Sequence, residues 1–122
     1  MDLQLGVLGT LRVHVLDQAR KAGLEDRRAR DAVTAVNEAA SNALRHGSGR
    51  GVLRMWTTSE SFVCEVSNLG NIDNPLVGRI RPELHRPGGR GLWMVNQLCD
   101  LVQVRSFPTG TTIRMHLVRP SS

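Results

Sequence analysis

At 122 residues and 40% hydrophobic, the chain has enough apolar material for one ordinary domain and too little length for two, so residues 1–122 are expected to fold as a single unit. The formal charge of +5, carried almost wholly by arginine, raises nucleic acid as a partner. The arginines are scattered, however, and an aromatic content of 3% leaves little for base stacking, so direct nucleic-acid binding is not favoured. Arginine's planar fork equally suits phosphate, carboxylate or an acidic protein. No stretch approaches the roughly 18 to 20 apolar residues of a membrane span, and MDLQLGVLGT lacks the basic start and apolar block of a signal peptide. A cytoplasmic protein is expected. Cys64 and Cys99 sit apart within apolar segments, as buried small hydrophobes rather than a disulfide or zinc pair.

In chain order, Leu8, Leu11, Val15, Ala19 and Ala22 recur at helical spacing, predicting an amphipathic helix from about Leu5 to Ala22 that stops at Gly23. A second helix is predicted from Asp26, as N-cap, through DRRARDAVTAVNEAASNALRH, with Ala29, Val33, Val36, Ala40 and Leu44 as its apolar stripe and Gly47 as its end. After GSGRG, the segments VLRMWTT and SFVCEVSN, joined at Ser59 and Glu60, read as a β-hairpin. From Leu69 to Arg90 periodicity gives way to a stretch with three prolines and four arginines, which reads as a functional lid over about residues 70–90. A short apolar helix is expected from about Gly91, carrying Leu92, Met94, Val95, Leu98 and Cys99. LVQVRSF and TTIRMHLV then form a second hairpin across Pro108, Thr109 and Gly110.

Strands in adjacent pairs, not alternating with helices, predict a two-layer α/β sandwich with a mixed sheet and three helices on one face. The other face would be wet or covered by a partner.

Four features could carry chemistry. Glu38 and Asn42, four residues apart on the second helix, share one face, with Arg45 and His46 a turn later. Taken alone, such a pair reads as a solvated helix surface, because the apolar stripe is rotated away from it. In PGGRGLW, the glycines Gly88, Gly89 and Gly91 would let a ligand approach the backbone, and the following helix start offers free amides for an anion. The same glycines could simply let the lid turn sharply, although Arg90 among them favours phosphate. In SNLG, Asn68 shares strand parity with Phe62, Cys64 and Val66 and should point inward, with Gly70 permitting a sharp exit; Asn68 either meets a ligand or caps its own turn. Thr111 shares parity with Ile113, Met115 and Leu117 and enters the same interior, as a ligand contact or a satisfied core threonine.

The succession NEAASNALRHG, VSNLG, PGGRGLWMVNQLCD and GTTIRMHL resembles the ATPase domain of the GHKL superfamily, most closely anti-sigma factor kinases of the RsbW and SpoIIAB type and related actinobacterial regulatory ATPases. The resemblance covers nearly the whole chain in order, and it is the conjunction of motifs that is specific. It implies a histidine kinase-like (Bergerat) fold binding ATP and Mg2+. In that frame Glu38 corresponds to the general base and Asn42 to the magnesium ligand, with Arg45 and His46 beside them. The span from Gly88 to Leu92 (Gly88, Gly89, Arg90, Gly91 and Leu92) corresponds to the lid that wraps the triphosphate, and Thr111 to a residue near the adenine. Asn68 stands where the family usually has an aspartate that receives the adenine amino group, and Ile72 replaces the second glycine of the usual DxGxG pattern. An asparagine oxygen can still accept that hydrogen bond, without a charge.

The resemblance implies a regulatory domain that phosphorylates a serine on a protein antagonist or sequesters a sigma factor, with a homodimer possible. Two alternatives are the ATP-binding piece of a longer sensor histidine kinase, and a protein-binding module that kept the fold around a degenerate nucleotide site.

Overall fold

The computed structural model describes residues 1–4, 6–46, 50–69, 87–107 and 110–120, with the backbone alone at 46, 69 and 87–92. In chain order these form β1 (Asp2–Leu3), α1 (Leu8–Lys21), α2 (Asp26–His46), β2 (Gly51–Thr57), β3 (Ser61–Leu69), α3 (Pro87–Leu98), β4 (Leu101–Phe107) and β5 (Gly110–Val118). The predicted α/β sandwich is present, with two differences in its sheet. The strand order is β1-β2-β3-β5-β4 and each neighbouring pair is antiparallel, so the sheet is not mixed. The reason is where β5 inserts. It comes between β3 and β4, so the two hairpins join through an antiparallel contact. The second difference is β1, a two-residue strand that pairs Leu3 with Gly51 and Asp2 with Val52.

α1 ends as expected at Gly23, which adopts φ 92° while its N–H donates to the Arg20 carbonyl at 2.9 Å. α2 spans the expected residues, but Asp26 is its first helical residue rather than its cap, and its carboxylate accepts from Arg20 Nε at 3.3 Å. α3 begins one turn earlier than expected. Proline suits a first helical turn, where its missing N–H leaves no bond unmade, so PGGR continues into GLW as helix. The predicted lid therefore divides: Leu69 closes β3, residues 87–90 open α3, and residues 70–86 lie outside the described residues.

The core is built on α2. Ala29, Ala32, Ala35, Val36, Ala39, Ala40, Ala43 and Leu44 are all buried, a wider band than the single stripe read from the sequence. The band is wide because α2 packs on β2, β3 and β5 while α1 and α3 flank it. Beneath it the sheet's inner face presents Leu53, Phe62, Cys64, Val66, Ile113, Met115 and Leu117. Cys64 and Cys99 both belong to this core, and burial pushes the Cys99 thiol up to about 12. Among the described residues no helix is long and apolar enough to cross a membrane.

Two polar ties fix the frame. Arg28, near the start of α2, donates from Nη1 to Asp31 Oδ2 and to the Leu98 carbonyl at the end of α3, both at 2.8 Å. Its Nη2 reaches Asp100 Oδ2 at 2.8 Å, and that same oxygen accepts from Val118 N at 2.7 Å. Arg119 donates to the Ala22 carbonyl at 2.7 Å and to the Thr58 carbonyl at 2.8 Å, joining the end of α1 to the tip of the first hairpin.

Gly51 leaves no room for a side chain. A Cβ there would stand 2.7 Å from the backbone oxygen of Ser67 on the paired strand. Gly51→Ala is expected to destabilise the fold by about 1–3 kcal/mol, because the obstacle is main chain and cannot rotate away. Urea denaturation checks this, and an unchanged midpoint would show that β2 shifts freely.

Candidate functional site

The sheet's inner face changes character along its length. Three successive cross-strand rows are mainly apolar: Thr57–Phe62–Leu117, Met55–Cys64–Met115–Val102 and Leu53–Val66–Ile113–Val104. The next row reads Gly51–Asn68–Thr111–Ser106. Asn68 and Thr111, predicted to enter one interior, are thus direct partners on neighbouring strands. Asn68 is buried, and its Oδ1 has no hydrogen-bond partner among the described residues. A buried carbonyl without a donor costs on the order of 1–3 kcal/mol, which makes this atom the strongest indication of a ligand group in the structure.

Glu38, Asn42 and Arg45 form the second element, on one face of α2. Asn42 is buried and Glu38 is half-buried, so the solvated-face reading does not hold for this pair. Arg45 Nη2 donates to Asn42 Oδ1 at 2.7 Å and stands 3.9 Å from Glu38 Oε1. The arginine is half-exposed, so the contact gains little and can be exchanged for another.

The Arg28 tie explains how these elements meet. It holds the start of α2, the end of α3 and the Val118 end of β5 together. From that point, 14 residues of helix at ~1.5 Å each carry Asn42 about 21 Å along α2. Seven residues of strand at ~3.3 Å each carry Thr111 about 23 Å along β5. The 11 steps back along α3 carry Pro87 about 16 Å from the tie. α2 packs against both α3 and β5, and the α2 carboxylate and amide, the polar row of the sheet and the glycine-rich start of α3 all lie toward the ends of their elements away from the Arg28 tie.

Gly88, Gly89, Arg90, Gly91 and Leu92 occupy the opening turns of α3, where helical backbone replaces the sharp turn offered by the sequence alone. The amides of that first turn, other than proline's, are donors with no partner inside the helix. His46 is the last residue of α2, and Gly70 lies outside the described residues. Two contributors escaped the sequence reading. Gly51, which sits beside Asn68 in the polar row, falls in the segment GSGRG that precedes the hairpin, and Arg28 is one of the scattered arginines. Neither position carries a local signal, because each acts through a chain segment distant in sequence.

A helix-roofed antiparallel sheet, polar at one end where a helix N-terminus also points, is the frame of a nucleotide-binding domain. Residues 3–117 match the histidine kinase-like ATPase domain, and the chain belongs to that family. It is accordingly an ATP-binding domain of the regulatory, kinase-like class. A search of curated proteins gives no match.

The residues present fit a nucleotide. Asn68 Oδ1 is a free acceptor of the kind an exocyclic amino group satisfies, with the Thr111 hydroxyl beside it. Asn42 offers a neutral oxygen of the type magnesium accepts alongside water and phosphate. Because the Asn68 oxygen has no partner among the described residues, Asn68→Leu is expected to raise the stability of the nucleotide-free chain by about 1–2 kcal/mol. A thermal melt without nucleotide measures this, and a lowered midpoint would mean that the amide is satisfied in a way the structure does not reveal.

Proposed function

We propose that the chain binds ATP with magnesium and acts as a serine kinase on a protein antagonist, in the manner of the anti-sigma factor kinases it resembles. The observation carrying the nucleotide part is the buried, unpartnered Asn68 oxygen in the polar row. The kinase part is supported by the Glu38 and Asn42 pair, one helical turn apart at the same end of the molecule.

ATP supplies the transferable phosphoryl group, and magnesium neutralises charge on its oxygens. The chain's residues do the rest. Asn68 accepts a hydrogen bond from the adenine amino group, and Thr111 lines the same pocket. Asn42 would hold the metal through its oxygen once Arg45 leaves it, and the guanidinium would then face phosphate. Glu38, with its half-buried carboxylate, takes the proton from an attacking serine hydroxyl. The first-turn amides of α3 hold anionic oxygens.

One observation favours a second reading. Arg45 occupies the very oxygen that the metal requires, at 2.7 Å. A chain that keeps this contact with nucleotide bound would be a protein-binding module without transfer activity.

Titrating ATP and magnesium against tryptophan fluorescence, with Trp93 exposed on α3 as the reporter, tests the nucleotide binding that both readings share, and transfer activity then separates them. Saturable binding confirmed by calorimetry is expected; no heat and no fluorescence change would remove both. Glu38→Ala should keep ATP affinity within about twofold and lose transfer or hydrolysis by at least about a hundredfold, in the range typical of a lost general base. Asn42→Ala should weaken binding only when magnesium is present. Equal loss of affinity in both variants would contradict these roles.

Asn68→Asp provides a further check. An ionised carboxylate buried without nucleotide is unfavourable, while a charge-assisted bond to the adenine amino group is stronger than a neutral one. The variant is expected to melt lower when free and to bind ATP more tightly. Unchanged affinity would show that position 68 does not read the base.

A further inference from the structure

β4 is the last strand of the sheet, bonded to β5 on one side and to no strand on the other among the described residues. Edges of this kind are usually blunted by proline, lysine, a bulge or a short length. Of the usual devices β4 has only one charged side chain, Arg105. It runs for seven residues, LVQVRSF, with Leu101 50%, Val104 41% and Phe107 52% exposed. These are three of only six exposed large hydrophobics among the described residues, and a fourth, Trp93 at 66%, lies on α3, which packs beside β4.

The register assigns the faces. Leu101, Gln103, Arg105 and Phe107 lie on the sheet's outer surface, because their partners His116, Arg114, Thr112 and Gly110 alternate with the core residues of β5. On that surface Arg114 is committed, gripping Glu65 Oε2 at 2.6 Å and 2.9 Å and stacking 5.3 Å over Trp56. Arg105 is exposed and has no acidic neighbour in its row, which reads Val52–Ser67–Thr112–Arg105.

We propose that the free edge of β4 takes up an extended acidic segment of a partner protein as a sixth strand, apolar at its ends and carrying Asp or Glu between. Main-chain bonds along the edge supply the attachment, Leu101 and Phe107 receive the apolar ends, and Arg105 selects the charge. A second copy of the chain fits less well. Antiparallel self-pairing about Val104 sets Gln103 opposite Arg105, which gives neither arginine a counter-charge, and it brings together two molecules of charge +5. Nucleic acid fits less well too, since the Trp56 ring is covered by Arg114 and the exposed Leu101 and Val104 are not stacking groups. β4 shares the polar row through Ser106, but the inference rests on the edge and the outer face and does not depend on the kinase reading.

The test uses the full chain and two heptapeptides. One has leucine first, glutamate third and fifth, phenylalanine seventh and valine or threonine between; the other has lysine in place of glutamate. The acidic peptide is expected to slow amide exchange across Leu101–Phe107 and to bind about tenfold or more tightly than the lysine peptide. The surface variant Arg105→Glu should invert that preference, and Arg12→Glu on α1 should leave it in place. Equal binding of the two peptides, or no protection of β4 by the acidic one at millimolar concentration, overturns the proposal. It is equally overturned by β4 protection that rises with protein concentration alone, which identifies a second copy, or by a single-stranded oligonucleotide that protects β4 at lower concentration than the acidic peptide.

Discussion

The fold depends on how closely α2 can be approached from three sides. Its buried band consists mostly of alanine, which contributes almost no side-chain entropy loss and lets neighbouring backbones come near. With larger residues there, α1, α3 and the sheet could not all contact one helix. Packing at this density leaves little slack, so strain at one surface of α2 is passed to the others. The positions of Glu38 and Asn42 are a by-product of the same arrangement. Both lie on the helix that carries the alanine band, Asn42 buried and Glu38 half-buried by elements that pack for other reasons.

Much of this was readable in the sequence, and what was not has identifiable causes. The limits of α2 were legible because a long apolar period is bounded by Gly47, and the hairpins because β-branched runs are separated by short polar turns. The inward direction of Asn68 and Thr111 followed from strand parity alone. β1 was illegible, since two residues carry no period. The antiparallel sheet was illegible because it depends on β5 inserting between β3 and β4, a choice made by packing. The opening turn of α3 was misread because proline and glycine usually mark loops, whereas proline at a first helical position is compatible with helix. Burial of Asn42 could not be read from one helix, because it needs neighbours on both flanks.

The site combines two kinds of polar economy. Arg28, Asp31, Asp100 and Arg119 are matched with partners and serve to join segments far apart in the chain. Asn68 is left unmatched at the opposite end, where a ligand can complete it. Among the described residues the buried structural polar groups are satisfied by the fold, and the Asn68 oxygen is the exception. The chain belongs to the histidine kinase-like ATPase family, and an adenine nucleotide is the guest proposed for that role.

The two ends of α3 are unlike in a way that determines how the helix comes apart. Its final carbonyl is held by Arg28, while its first turns contain Gly88, Gly89 and Gly91, each of which weakens a helix interior by about 1 kcal/mol relative to alanine. Thermal fraying is therefore directional: the helix peels from its glycine end and stays pinned at Leu98. Turns can be lost or regained at the glycine end while Val95 and Cys99 remain in the core, so α3 can lengthen or shorten without the sandwich opening.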